Sequence, residues 1–395
     1  MSTPVPSREA RRARVAVSAL FFTNGAIYAN VIPRFPEIKE ALALSDTLYG
    51  ISIAAMPVGA LLSGLAAGSL IRRMGSGRLA VTGTILLAAA MLGVGLAPLP
   101  VVFTLALFTV GLLDSVTDVA QNAHGLRVQK RYGRSIINGF HAIWSLGAVT
   151  GGFMSAGAIA LGLPLGVHLA ITGALFAATA IVALRMCLPG PDEESGEASV
   201  EEAVSVVGRA APRVVLAMAG LAAISIAATI VEDVGSSWAT LYMRDSLGAP
   251  AALAATGYIA LIGFQFVGRL VGDALTDRFG QRLVAFAGGV LVAVGMGVAL
   301  AFPTVPATLI GFAAAGFGVA TLIPAAMHTA DDLPGLRPGT GLTVVTWLMR
   351  LGFLISPLVI GAVSDATELR VSLLIVPIAG VVIVALSGVL GRRRS

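Results

Sequence analysis

GSLIRRMGSGR at 68–78 and DALTDRFGQR at 273–282 are the two stretches that decide the fold. Each is a short basic interruption between long apolar runs. Leu70, Arg73 and Gly75 of the first match Leu275, Arg278 and Gly280 of the second at one offset, 205. Gly147 and Gly352, each deep in an apolar run, keep that offset. A spacing near half of the 395 residues, held across loops and apolar runs alike, implies two copies of one unit. Duplication inside so apolar a chain points to a transporter architecture.

The composition agrees. Hydrophobic residues make up 56% of the chain and charged residues 12%, with a mean hydropathy of +0.90. Soluble domains carry about 25% charged residues, and no soluble fold could hide so much apolar surface. A spanning helix needs roughly 20 apolar residues. Twelve are read, at 14–33, 46–71, 79–98, 100–126, 136–161, 164–187, 213–243, 249–273, 282–301, 304–329, 338–364 and 370–391. The expected fold is an all-α integral membrane protein with two pseudo-symmetric six-helix bundles. An N-terminal bundle at 1–187 and a C-terminal bundle at 213–395 flank a polar linker at 188–212. That linker holds six acidic residues with Pro189, Pro191 and Pro212.

Basic residues set the orientation. With the N-terminus inside, cytoplasmic segments collect Arg8, Arg11, Arg12, Arg14, Arg72, Arg73, Arg78, Arg127, Lys130, Arg131, Arg134, Arg185, Arg209, Arg213, Arg278, Arg282, Arg337, Arg392, Arg393 and Arg394. Those are 20 of the 26 Lys and Arg residues, and only Arg34, Lys39, Arg244 and Arg370 lie outside. Both termini are therefore expected in the cytoplasm of a bacterial inner membrane. The same bias explains the pI of 9.9 without nucleic acid. The lone Cys187 excludes an intrachain disulfide framework. No P-loop, HExxH or strand–helix GxGxxG occurs, so no cofactor, no metal and no ATP hydrolysis are expected.

DALTDRFGQR resembles the loop signature of the major facilitator superfamily, G-x-L-x-D-R-x-G-R-R. The twelve spans, the six-plus-six repeat and the central loop fit that resemblance along the whole chain. Two positions depart from it. Arg72 stands where the first copy of the signature would have Asp, and Asp273 replaces the leading Gly of the second, which Gly68 keeps in the first. The resemblance implies a gating role for Gly68, Arg72, Arg73, Asp273, Asp277 and Arg278, with Asp277 and Arg278 forming a cytoplasmic lock. FFTNGAIYANVIPRFPEIKEALALSD (21–46), DVAQNAHGLRVQKRYGRSIINGFHAIWSLG (118–147) and PGLRPGTGLTVV (334–345) resemble a bacterial branch near the fucose permeases. Asp118-x-x-x-Asn122 is similar to the Glu-x-x-x-Asn pattern on span 4 of those permeases, where the carboxylate is linked to proton coupling.

Ionisable groups inside spans are costly and are functional candidates by default. Asp114 and Asp118 sit one turn apart on span 4, and Gln121 and Asn122 continue the face. Asp118 leads as the proton-coupling group, although roughly 27 Å into the helix it also suits a polar anchor. Asp114 and Glu232 are the other coupling candidates. Asp233 points about 100° away from Glu232 and cannot share its face. For the substrate, span 1 offers Asn24 and Tyr28, span 5 offers His141 and Trp144, and Asn122, Trp238, Gln265 and Trp347 add amides and rings. Such a mixture suits hydrogen bonds to hydroxyls and stacking on a ring face, or else simple helix–helix contact. Arg350 lies roughly 18 Å into span 11, near the midplane, where it could hold an anionic group or pair with a carboxylate. His124, His168 and His328 read as structural.

The expected function is secondary active transport of a small polar solute by alternating access, coupled to protons. The alternative is a proton-driven efflux antiporter for drugs or metabolites, which would call for more than 6% aromatic residues. A membrane sensor, or a lipid-modifying enzyme seeded by His141 with Asp118 or Asp114, is the non-transport alternative. The expected partners are a small-molecule substrate, protons and the lipid bilayer, with no nucleic acid, and the chain is expected to act as a monomer.

Overall fold

The computed structural model describes residues 7–133, 136–190, 200–208, 210–337 and 339–391, with the side chains at 64, 65 and 200–203 excepted. Arg134, Pro191, Arg209, Arg392, Arg393 and Arg394, and the acidic side chains at 192–202, lie outside the described residues. Twelve helices are long and apolar enough to cross a membrane, and the described residues form no strand. Their main segments are α1 Arg8–Ala29, α2 Asp46–Met74, α3 Ser76–Gly95, α4 Pro100–Tyr132, α5 Ile137–Ala160 and α6 Leu165–Leu184, then α7 Pro212–Asp233, α8 Thr256–Phe279, α9 Gln281–Ala301, α10 Val305–Val319, α11 Thr340–Ala366 and α12 Ile375–Leu386, of which α10 and α12 reach spanning length only with their flanking turns, as Val305–Asp331 and Leu369–Val389. The chain divides into two compact units, Met1–Glu194 with Ala251–Ala255, and Ser195–Pro250 with Thr256–Ser395.

Local chemistry marks the helix starts. Ser7 and Ser45 cap α1 and α2 by accepting the amides of Ala10 and Leu48, and Thr304 accepts that of Ala307 ahead of α10. Pro100 and Pro212 open α4 and α7, where a missing N–H costs nothing. Two spans depart from regular helix. α7 continues through π-helical turns at Val234–Trp238 and Tyr242–Ser246. α10 breaks at Ala320–Thr321 and resumes as Leu322–Asp331. Pro324 explains the break, because it has no N–H for the carbonyl of Ala320 and its ring crowds that oxygen. The linker, read from sequence as polar, carries a helix at Val200–Gly208, and its Val207 is buried.

The repeat seen in the loops recurs in the packing. Gly75 (φ 81°, ψ 145°) and Gly280 (φ 81°, ψ 151°) turn the chain identically, and each amide donates over 2.8 Å, to Ile71 O and Thr276 O. The positive φ is why glycine stands at both signature turns. A methyl on Gly111 of α4 would strike Met56 O of α2, and one on Gly316 of α10 would strike Leu261 O of α8. Both residues of the second pair lie 205 positions beyond those of the first. Likewise Gly147 on α5 abuts Phe22 O of α1, and Gly352 on α11 abuts Ile226 O of α7. With lipid as solvent there is little hydrophobic gain in joining helices, so close backbone approach supplies the contact energy. Leu216, Ile310, Val101 and Phe153 remain outward and exposed, as a bilayer requires.

A polar clamp closes one end of the first unit. Leu188 N–H donates to His124 Nε2 over 3.2 Å, so Nδ1 carries the proton towards Ser76 Oγ at 2.9 Å. Arg127 donates to Pro189 O, which ties the start of the linker to α4. Near the other end, buried Arg34 donates to Glu37 Oε2 (2.8 Å) and Leu163 O (3.0 Å), with His168 Nδ1 at 3.5 Å. His168 Nε2 in turn donates to Asn30 Oδ1 over 2.9 Å. His124 and His168 thus serve as structural ties.

Candidate functional site

In the first unit a hydrogen-bonded row crosses three helices. Trp144 Nε1 of α5 donates to Asn24 Oδ1 of α1 over 2.7 Å. Asn24 Nδ2 donates to Asp114 Oδ1 of α4 over 2.9 Å. Trp144, a donor only, fixes which end of the Asn24 amide faces it, and the amide then presents its N–H to the carboxylate. Asn24 is buried, while Asp114 and Trp144 are half-buried. The spacing of α1 and α5 is set beneath this row, where Gly25 leaves no room for a methyl against Trp144 O.

The remaining candidates of this unit are arranged differently. Asp118 is exposed and accepts from Asn122 Nδ2 over 3.0 Å, within one helix turn of α4. The two aspartates, read as one face from sequence, therefore have separate surroundings. Tyr28 turns its ring edge-on to Phe35, with centroids 6.4 Å apart. His141 is exposed and stands edge-on to Phe21 at 5.3 Å. Gly68, Arg72 and Arg73 are exposed beside the first signature turn, with the Arg72 guanidinium over Gly68.

In the second unit, Gln265 Nε2 of α8 donates to Glu232 Oε2 of α7 over 3.1 Å. Gln265 is buried and its Oε1 has no hydrogen-bond partner among the described residues. Asp233 faces elsewhere, as the 100° rule requires, and accepts from Ser237 Oγ over 3.2 Å. Asp233 Oδ2 is likewise buried, with the buried Ser356 hydroxyl of α11 beside the carboxyl as a second neighbouring donor. Glu232 and Asp233 end the regular part of α7 immediately before its first π-helical turn. Such turns expose extra backbone polar groups and are frequent at functional sites. Trp238 is fully buried and Trp347 is exposed. Asp273, Asp277 and Arg278 are exposed around the second signature turn, with Arg278 Cζ 5.3 Å from the Phe279 ring centroid.

Arg350 is half-buried on α11. No described residue lies within hydrogen-bond or ion-pair reach of its guanidinium. Exposed Val359, nine residues on, projects about 180° from it. Exposed Trp347 and Leu358 project about 60° and 80° from it, so Arg350 stands between the exposed and the buried side of its own helix.

A polar contact that sequence reasoning missed is the Thr229 hydroxyl, which shares its one proton between Ile226 O of its own helix (2.9 Å) and Met349 O (3.0 Å) and so joins α7 to α11. Its signal was available, because Thr229 lies 205 residues beyond Asn24 and Met349 lies 205 beyond Trp144.

The profile described as Major Facilitator Superfamily matches residues 17–274 and 233–395. The chain is similar to the uncharacterized transporter y4wD of Sinorhizobium fredii, 27% identical over 95% of this chain and 97% of the relative. It is also similar to the membrane protein MosC of Rhizobium meliloti, 27% identical over 96% and 90%. Among solved structures, the nucleoside transporter NupG matches with a TM-score of 0.73 at 12% identity, covering 95% of this chain and 98% of that one. FucP in its outward conformation matches with a TM-score of 0.62 at 16% identity, over 98% and 100%.

Proposed function

The chain belongs to the Major Facilitator Superfamily and is a multi-pass membrane transporter, and from that premise we propose that it moves a small polar solute across the bacterial inner membrane by alternating access, driven by protons. The functional parts are the bundles 1–187 and 213–395, joined by the cytoplasmic linker 188–212. Both termini are cytoplasmic on the strength of the Lys and Arg distribution.

One observation carries the coupling reading: the Trp144–Asn24–Asp114 row. A carboxylate in a membrane span that receives one neutral amide N–H is held in place but not neutralised. Its remaining route to neutrality is a proton. Charging and discharging Asp114 changes what Asn24 can donate to, and Asn24 bridges α1 and α5. Protonation therefore acts on helix packing, which is the requirement for an ion to bias two conformations. Glu232, held by Gln265, is the matching carboxylate of the second unit. Asp118, exposed and bonded within its own helix, is the weaker coupling candidate. Asn24, Tyr28, Asn122, His141, Trp144, Trp238, Gln265, Trp347 and Arg350 remain the substrate candidates, and the two signature turns the gating candidates.

The test uses the full chain in proteoliposomes with an imposed inward-acid gradient and radiolabelled sugars and sugar acids. Asp114→Asn is expected to abolish gradient-driven accumulation and to retain solute exchange at equilibrium. Accumulation that survives Asp114→Asn removes this residue from the coupling step. The same assay on Asp118→Asn decides between the two aspartates.

A further inference from the structure

We infer, building on the transport function proposed above, that Arg350 is the anion-recognition residue of this transporter and that its solute carries an oxyanion group, a carboxylate or a phosphate monoester.

The chain contains its own control. Arg34, buried where Arg350 is half-buried, has Glu37 Oε2 at 2.7 Å and the Leu163 carbonyl accepting from both terminal nitrogens. Arg350 has none of this among the described residues, neither an acid nor a carbonyl. The bilayer-buried carboxylates do not raise the same difficulty. Asp114 and Glu232 have only neutral amide donors, from Asn24 and Gln265, but either can shed its charge by taking up a proton. A guanidinium has no such exit, because it stays protonated at any working pH. An uncompensated charge inside a span is expensive, so a residue that cannot discharge must be paid for by a counter-ion. Arg350 stands ten residues into α11, about 15 Å from its start, a depth at which lipid headgroups are not its natural partner. Its helix also carries Thr343, Thr346 and Trp347 one to two turns before it, a hydroxyl-and-ring setting suited to a polar solute body. The planar fork of Arg matches a carboxylate or phosphate in two parallel hydrogen bonds. A carboxylate on Arg350 together with one proton on Asp114 adds no net charge to the protein, which favours anion–proton symport, and a doubly charged phosphate would call for a second proton.

The experiment measures thermal stabilisation of the purified full chain in lipid nanodiscs by matched probes. Glucose, glucosamine, glucuronate and glucose 6-phosphate share one skeleton and differ in charge, and a second set compares inositol with short hydroxy acids and amino acids. The acids or phosphates are expected to be the stabilising members. Arg350→Met is expected to weaken their binding about tenfold or more, the size usual for removing one partner of a desolvated ion pair, and Arg350→Lys to retain part of it. Glucuronate against glucose 6-phosphate tells carboxylate from phosphate. Preference for the neutral or amine members, no stabilisation by any anion, or anion binding unchanged in Arg350→Met overturns the assignment. A poorly folding Met variant leaves the charge preference of the natural chain and the Lys variant to decide. Acid binding without proton-driven uptake would sink the coupling proposal and spare this one.

Discussion

The two units share a skeleton and differ in chemistry. At one offset, 205, the glycine contacts repeat from Gly111 on Met56 O to Gly316 on Leu261 O, and the signature turns repeat from Gly75 to Gly280. The polar row does not. Asn24, Asp114 and Trp144 correspond to Thr229, Val319 and Met349. Conversely Glu232, Gln265 and Arg350 correspond to Ile27, Ala60 and Ser145. Backbone contacts had to survive duplication because each needs both surfaces at once. A polar side chain whose partners lie within its own unit is free to change in one copy alone. The difference teaches that the close backbone contacts are shared by the two units and the polar side-chain network is not.

The largest effect tests the shared part. Gly111→Val and Gly316→Val each force a branched side chain into a carbonyl, at the upper end of overpacking costs, about 3 kcal/mol. Both variants are expected to lose thermal stability in detergent by similar amounts, and a large loss in one with none in the other breaks the claim of a common skeleton. The next effect tests the divergent part. Asn24→Leu removes two hydrogen bonds, one to a carboxylate, at about 2 kcal/mol, whereas Thr229→Val, at the equivalent place, removes one interhelical bond at about 0.6 kcal/mol. Equal shifts in unfolding temperature would erase the contrast. Trp144→Phe keeps the ring and loses the donor, so it is expected to cost about 1 kcal/mol. It should also remove a fluorescence response to acidification that Asp114→Asn equally silences. A response that persists in Asp114→Asn would separate Trp144 from the carboxylate.

The smallest effect concerns the end of the first unit where the linker begins. Burial pushes the Cys187 thiol up to about 11, with Arg127 partly opposing. Below pH 9 the thiol is protonated folded or unfolded and contributes nothing to pH dependence. Between about 9 and 11 the unfolded thiol ionises first, so stability falls with rising pH across that window. Maleimide labelling of the folded chain is correspondingly expected to stay slow until strongly alkaline pH, and fast labelling near neutrality would contradict it.

The sequence by itself determined the twelve spans and the internal repeat. Both are one-dimensional signals: apolar length measured against bilayer thickness, and recurrence at a fixed spacing. It also separated Glu232 from Asp233, because a helix turns about 100° per residue whatever surrounds it. Helical periodicity went no further on α4. It put Asp114 and Asp118 on one face, and the face is real, yet only Asp114 reaches Asn24 of α1 while Asp118 bonds to Asn122 on its own helix. Which of two residues one turn apart meets a partner depends on where a second helix crosses, and α1, which brings Asn24, is held against α5 by Gly25 and Gly147, some 120 residues apart in the chain. The break in α10, the π-helical turns of α7 and the isolation of Arg350 are decided in the same way, by neighbours that arrive from distant sequence. Tertiary structure alone chose the partners, since a hydrogen bond is satisfied in space and the order of residues along the chain records only one of its two ends.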